Sequence, residues 1–184
     1  MKNIAKELKN LKKKEAELKV EMQLMQDEEI RKRKETMILF CRGMYHIRAK
    51  LRIAYKTWDQ MLSQVGIDFH NWYYLKDTIS IDNIDDYYPQ LKGFFNVLVA
   101  KIAKGVNPSD NRYNSWEPLY LLMYHQDYFK MLFVDDKFNR ETEVIKRTER
   151  IKINKELRGE VEGIMIPFGT TNIPKKVFDA MINW

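Results

Sequence analysis

Apolar residues recur at alternating steps of three and four along the start of the chain: Met1, Ile4, Leu8, Leu11, Leu18, Met22 and Met25. That spacing is the a/d seam of a coiled coil. Glu15 and Glu29 fall on the same seam and interrupt it. A second seam follows, at Met37, Phe40, Met44, Ile47, Leu51, Ala54, Trp58, Met61 and Val65, and every position in it is apolar. The two seams are one residue out of register. Steps of four through Glu29, Arg33 and Met37 join them as a stutter, which locally unwinds a supercoil. No proline precedes Pro89, and Gly43 is the only glycine before Gly66. The pattern therefore predicts one very long helix over 2–64, or two nearly collinear helices with a weak point near 31–36. Gly66 is placed to end it, since glycine accepts the left-handed conformation of a helix C-cap.

Periodicity then fades. Residues 67–88 mix acidic and aromatic side chains and read as irregular. Pro89 opens a helix with Phe94, Phe95, Val97, Leu98 and Ile102 on its apolar positions, expected to end at Gly105. A loop to about Ser115 and a helix from Trp116 to Val134 complete a helix–loop–helix over 89–134. Asp135, Asp136 and Asn139 mark a further break. Beyond it the pattern predicts a charged helix to about 150, a small β-hairpin over 151–168, and a short helix opened by Pro174. The hairpin rests on Ile151-Lys152-Ile153 and on Val161 to Ile166, which suit short strands. The expected fold class is mainly α. A long, coiled-coil-like N-terminal helix joins a compact helical body, with an arm at 1–35, a body at 36–184 and a core helix at 36–65.

Composition agrees with helices. Of 184 residues, 45% are apolar, so a core can form, and 32% are charged, so long faces must be solvated. Seven glycines and five prolines encode few tight turns. One cysteine, Cys41, rules out an internal disulfide and a cysteine zinc site. The N-terminus lacks the apolar region of a signal peptide. The stretch Phe94 to Ala103, apolar apart from Asn96 and Lys101, is half of the roughly 20 residues a membrane span needs. A cytoplasmic location and no membrane partner are expected. Charge is uneven: residues 1–56 hold 16 Lys/Arg against 8 Asp/Glu, whereas residues 57–140 hold 8 against 11. A basic arm of this kind seeks an acidic partner.

One stretch has a familiar arrangement. Gly105-Val106-Asn107-Pro108-Ser109, then Pro118-Leu119-Tyr120, then Asp127 to Leu132 resembles the junction between two ankyrin repeats, and the last segment resembles the second-helix start of viral repeats. The likeness covers roughly 30 residues and implies two packed helices. It departs from the family at Glu117, where threonine begins the helix, and at Ser115, where a turn glycine belongs. No such signature stands one repeat upstream, and about three repeats are needed for a stable stack. A plain helix–loop–helix corner, with Pro118 in a first helical turn, accounts for the same residues.

Candidate chemistry is sparse. No phosphate-cradling glycine loop, zinc-binding His-Glu pair or nucleophile elbow occurs. His46, His70 and His125 are far apart. Asp82, Asp85 and Asp86 lack the glycine and terminal glutamate of a calcium loop and read as a solvated acidic acceptor. Cys41 beside Arg42 is either a thiol of lowered pKa or a small buried residue. No catalytic, metal or cofactor site is expected. Arg31, Lys32, Arg33 and Lys34 spread around a helix and serve as arm contacts. Arg48, Arg52 and Lys56, at i, i+4 and i+8, form with Arg42 a stripe suited to phosphates, unless acids such as Asp59 neutralise it. Trp72, Tyr73 and Tyr74 are candidate interface aromatics. The expectation is a non-enzymatic, homo-oligomerising assembly protein, a component of a phage or viral particle, located in the host cytoplasm or virion. The alternative is a nucleic-acid-binding accessory protein.

Overall fold

The computed structural model describes residues 2–103, 117–135, 140–156, 165–168, 171–175 and 178–179. Seven α-helices and one two-stranded sheet occur among them. The chain divides into two compact units, Met1–Glu35 and Thr36–Trp184.

Helix α1 (Lys2–Lys50) is unbroken through 31–36, so the expected weak point there does not exist. A stutter changes the seam's direction around the helix and leaves the backbone hydrogen bonds intact. The break comes later, at 51–54. The Ile53 N–H donates to the Arg48 carbonyl (3.1 Å) and the Arg52 N–H to the Ala49 carbonyl (3.1 Å). This is a Schellman cap, and Arg52 occupies its left-handed position at φ 54°. Helix α2 (Tyr55–Gln64) then ends the same way, with Gly66 at φ 74° and the Ile67 N–H on the Leu62 carbonyl. The expected single helix over 2–64 is thus two helices, and nothing at Leu51-Arg52-Ile53-Ala54 resembles a punctuator.

The second seam is the spine of the body. Met37, Phe40, Met44, Ile47, Leu51, Trp58 and Met61 are buried, Val65 is half-buried and Ala54 is exposed. Ala54 loses its place because it lies in the extended corner before α2, where Ile53 is buried instead.

The segment read as irregular, 67–88, contains helix α3 (Phe69–Thr78) and a 3-10 turn at Ile84–Asp86. Its inward positions Trp72, Leu75 and Ile79 follow helical spacing and are buried. Helix α4 (Tyr88–Ala103) packs on α2. Its Gly93 lies where an added Cβ would come within 3.2 Å of Val65. Phe94 meets Trp58 edge-on (centroids 4.9 Å apart) and Phe40 sits against both Phe94 and Phe95.

The expected 116–134 helix is broken at His125 into α5 (Glu117–Tyr124) and α6 (Gln126–Phe133), which pack together. Helix α7 (Arg140–Glu156) packs on α6 and runs past 150. Ile151-Lys152-Ile153 is therefore helical, with Ile153 buried. Three alternating residues are too few to override a longer helical context. A hairpin does form, but later than expected: β1 (Met165–Phe168) pairs antiparallel with β2 (Thr171–Pro174), from Met165 opposite Pro174 to Phe168 opposite Thr171. Pro174 ends a strand, and Lys175, Phe178 and Asp179 after it are helical, as expected of a helix opening there. The features expected at Gly105 to Trp116, at Asp136 and Asn139, and at Val161 to Ile164 lie outside the described residues.

Candidate functional site

In the N-terminal unit the first seam is exposed along its length. Ile4, Leu8, Leu11, Leu18, Met22 and Met25 show between 54% and 69% of their surface. The helix holding them is supported by side-chain pairs one turn apart. Lys19 Nζ donates to Glu15 (2.7 Å), Arg33 to Glu29 (2.7 Å), and Gln23 to Asp27 (2.9 Å). Such pairs stabilise a helix that has little packing of its own. Both glutamates that interrupt the seam are held by a cation on the same helix.

With Leu8 and Met22 at a and Leu11, Leu18 and Met25 at d, the flanking columns differ in sign. The e column is Ala5, Lys12, Lys19, Gln26 and Arg33; the g column is Glu7, Lys14, Glu21, Glu28 and Glu35. This separation was available in the sequence, by reading the seam's neighbours as well as the seam. Val20, Leu24 and Ile30, also exposed, lie off the seam and were not anticipated.

The basic run is engaged locally. Arg31 bonds Glu28 (2.9 Å) and Glu35 (3.0 Å), and Lys32 lies 3.8 Å from Glu28. The hydrogen bond from Arg31, with its charge and that of Lys32, holds the Glu28 carboxyl below its ordinary range. Lys34 too has an interaction of its own. These exposed pairs exchange readily for others.

The proposed phosphate stripe is not a stripe. Arg42 donates to the Ile79 carbonyl (2.8 Å) and ties α1 to the end of α3. Arg48 donates to the Ile53 carbonyl (2.8 Å), and its guanidinium lies 3.7 Å from the Tyr55 ring centre and 5.4 Å from that of Tyr45. It pins the α1–α2 corner. Arg52 lies in that corner and Lys56 on α2, so the i, i+4, i+8 geometry, which needs one helix, is lost. The partners of Arg42 and Arg48 in these bonds are backbone carbonyls, and not the acids expected.

Trp72 is core and not interface, because it faces inward on α3; Tyr73 and Tyr74 on the same helix are exposed. Asp82, Asp85 and Asp86 are exposed on a loop shaped by Asn83, whose side chain accepts from the Ser80 N–H and donates to the Thr78 carbonyl. Among the described residues no three His, Cys, Asp or Glu side chains are grouped to hold a metal. The Cys41 thiol is buried, and burial pushes its pKa up to about 12 against the opposing charge of Arg42. The choice left open at Cys41 falls to the small buried residue.

Among the described residues no helix is long and apolar enough to cross a membrane. No family model, curated protein or solved structure matches the chain.

Proposed function

We propose that this chain is a non-enzymatic assembly protein that engages its partner through the apolar seam of its N-terminal helix. The observation carrying this reading is the exposure of six seam residues, Ile4 to Met25, on a formed helix. Six large apolar side chains in one line are a costly surface for water and a ready one for a second helix. The body supports the division of labour. Among the described residues its buried apolar cluster begins at Met37. The use of Arg42 and Arg48 on backbone carbonyls favours a protein partner over phosphate.

The test is removal of residues 1–30. The remaining body should keep its near-ultraviolet circular dichroism and its unfolding midpoint, while self-association or partner binding falls. Unfolding of the body on truncation would mean that the arm packs within the protomer, and the reading would fail.

A further inference from the structure

We infer that the seam's partner is a second copy of this chain, aligned parallel and in register as a two-stranded coiled coil over residues 4–35. The inference rests on the reading that the seam is intermolecular and adds the partner's identity and direction.

The flanking charges decide the direction. In a parallel pair each g residue faces the e residue of the next heptad on the other strand. Glu7 then meets Lys12 and Glu28 meets Arg33, both attractive, while Glu21 meets Gln26 and Lys14 meets Lys19. In an antiparallel pair like columns meet, g with g and e with e. With Glu15 set against Leu18, Lys12 meets Lys19 and Glu7 meets Glu28, both repulsive, and only Lys14 with Glu21 is favourable. A chain whose e column is basic and whose g column is acidic thus prefers to lie parallel to itself.

The seam's own faults carry a cost in this arrangement, since the two Glu15 face each other at one a layer and the two Glu29 at another, and the lysines beside them offset it. Glu15 occupies an a position, which in a parallel pair sits in a hole formed by Leu11, Lys14, Glu15 and Leu18 of the other strand. Lys14, the one basic member of the acidic column, is the residue that lies beside it. Glu29 sits likewise beside Lys32. A polar residue at a lowers stability and selects register and strand number. Sliding by one heptad forfeits a whole apolar layer, so the full overlap is in register.

The experiment uses the full chain with Cys41→Ala, and near-ultraviolet circular dichroism confirms in each variant that the body is folded. Sedimentation should give a dimer. Spin labels on Lys6→Cys and, separately, Lys13→Cys, both on the outer face, should report equal same-site distances. In the antiparallel pair the two Lys6 would be offset by about 30 Å along the axis and the two Lys13 by about 10 Å, at about 1.5 Å per residue, so the distances would differ. Glu7→Lys should weaken the dimer, and adding Lys12→Glu should restore it. Antiparallel pairing predicts the opposite for Glu7→Lys, because Glu28 would be its neighbour. Glu15→Leu should tighten the dimer by about tenfold or more, which corresponds to about 1.4 kcal/mol. A monomer, a trimer, or a Lys6 distance well above the Lys13 distance overturns the inference. A monomer whose binding to another protein is lost on deleting residues 1–30 would overturn it while leaving the assembly reading intact.

Discussion

Cys41 sits on α1 among buried side chains, and its thiol keeps its proton far above the ordinary value of 9.0, to about 12. Desolvation of the thiolate is the cause, and the neighbouring Arg42 only partly offsets it. The folded chain therefore holds a proton that the unfolded chain releases above pH 9. Stability from this group is complete below pH 9 and falls as pH rises from 9 towards 12. Comparing the protein with Cys41→Ala over that window isolates the effect, since the variant lacks this fall. A thiol reagent at pH 8 should label the native protein only as fast as it unfolds; rapid labelling would show the site to be open. Arg52 presents the opposite case, an exposed residue whose backbone is the constraint. A left-handed conformation costs a non-glycine residue about 1–2 kcal/mol. Arg52→Gly should therefore raise stability by about 0.5–1 kcal/mol, after the extra chain entropy of glycine is counted. Denaturant unfolding measures it, and a loss would mean that the arginine side chain outweighs its backbone strain.

Helices α1 and α6 approach closely at Gly43. A Cβ on Gly43 would lie 2.8 Å from Cζ of Phe129 and 3.3 Å from Cβ of Phe133. Glycine inside a helix costs about 1 kcal/mol relative to alanine, so its place here is explained by the ring it admits. Phe129 is fully buried and rests against Phe133 (centroids 4.9 Å apart), which leaves the ring little room to retreat. Overpacking of this kind costs about 1–3 kcal/mol. Gly43→Ala should be destabilising by about 1 kcal/mol in the native background and stabilising in Phe129→Leu, where the ring tip is gone. The same sign in both backgrounds would mean that the ring does not set this spacing. Other ties between elements had no sequence signal. Arg150 on α7 bonds Glu117 at the start of α5 (2.8 Å). Burial alone would lower the pKa of Arg150, but Glu117 and Tyr128 outweigh it and raise it. Glu117, out of place in an ankyrin junction, has its role in this pair.

For the whole molecule, the two units differ in what holds them. Residues 1–35 contain no aromatic side chain, and the buried cluster that includes Trp58, Trp72 and Tyr120 belongs to the second unit. Near-ultraviolet circular dichroism therefore reports the body, while far-ultraviolet signal reports both units. Thermal unfolding followed by the two probes should not coincide, with helix lost from the N-terminal unit at lower temperature on dilution and the body's midpoint unchanged. Coincident curves at every concentration would show one cooperative structure.

Periodicity by itself determined the long amphipathic helix, the buried stripe from Met37 to Met61 and the cap at Gly66. These depend on residue spacing along one helix, which a sequence displays directly. The charge columns beside the first seam are legible for the same reason. The corner at Arg52 was not legible, because its cap is made by backbone geometry and by Arg48 reaching the Ile53 carbonyl, with no glycine or proline to mark it. The same contact removed Arg48 from the phosphate stripe, as the Ile79 carbonyl removed Arg42. Trp72 and Tyr74 stand two residues apart in one aromatic run, and only the packing of α3 decided that the first is buried and the second exposed. A sequence shows which side chains can bond or pack; the tertiary structure decides which of their competing partners they meet.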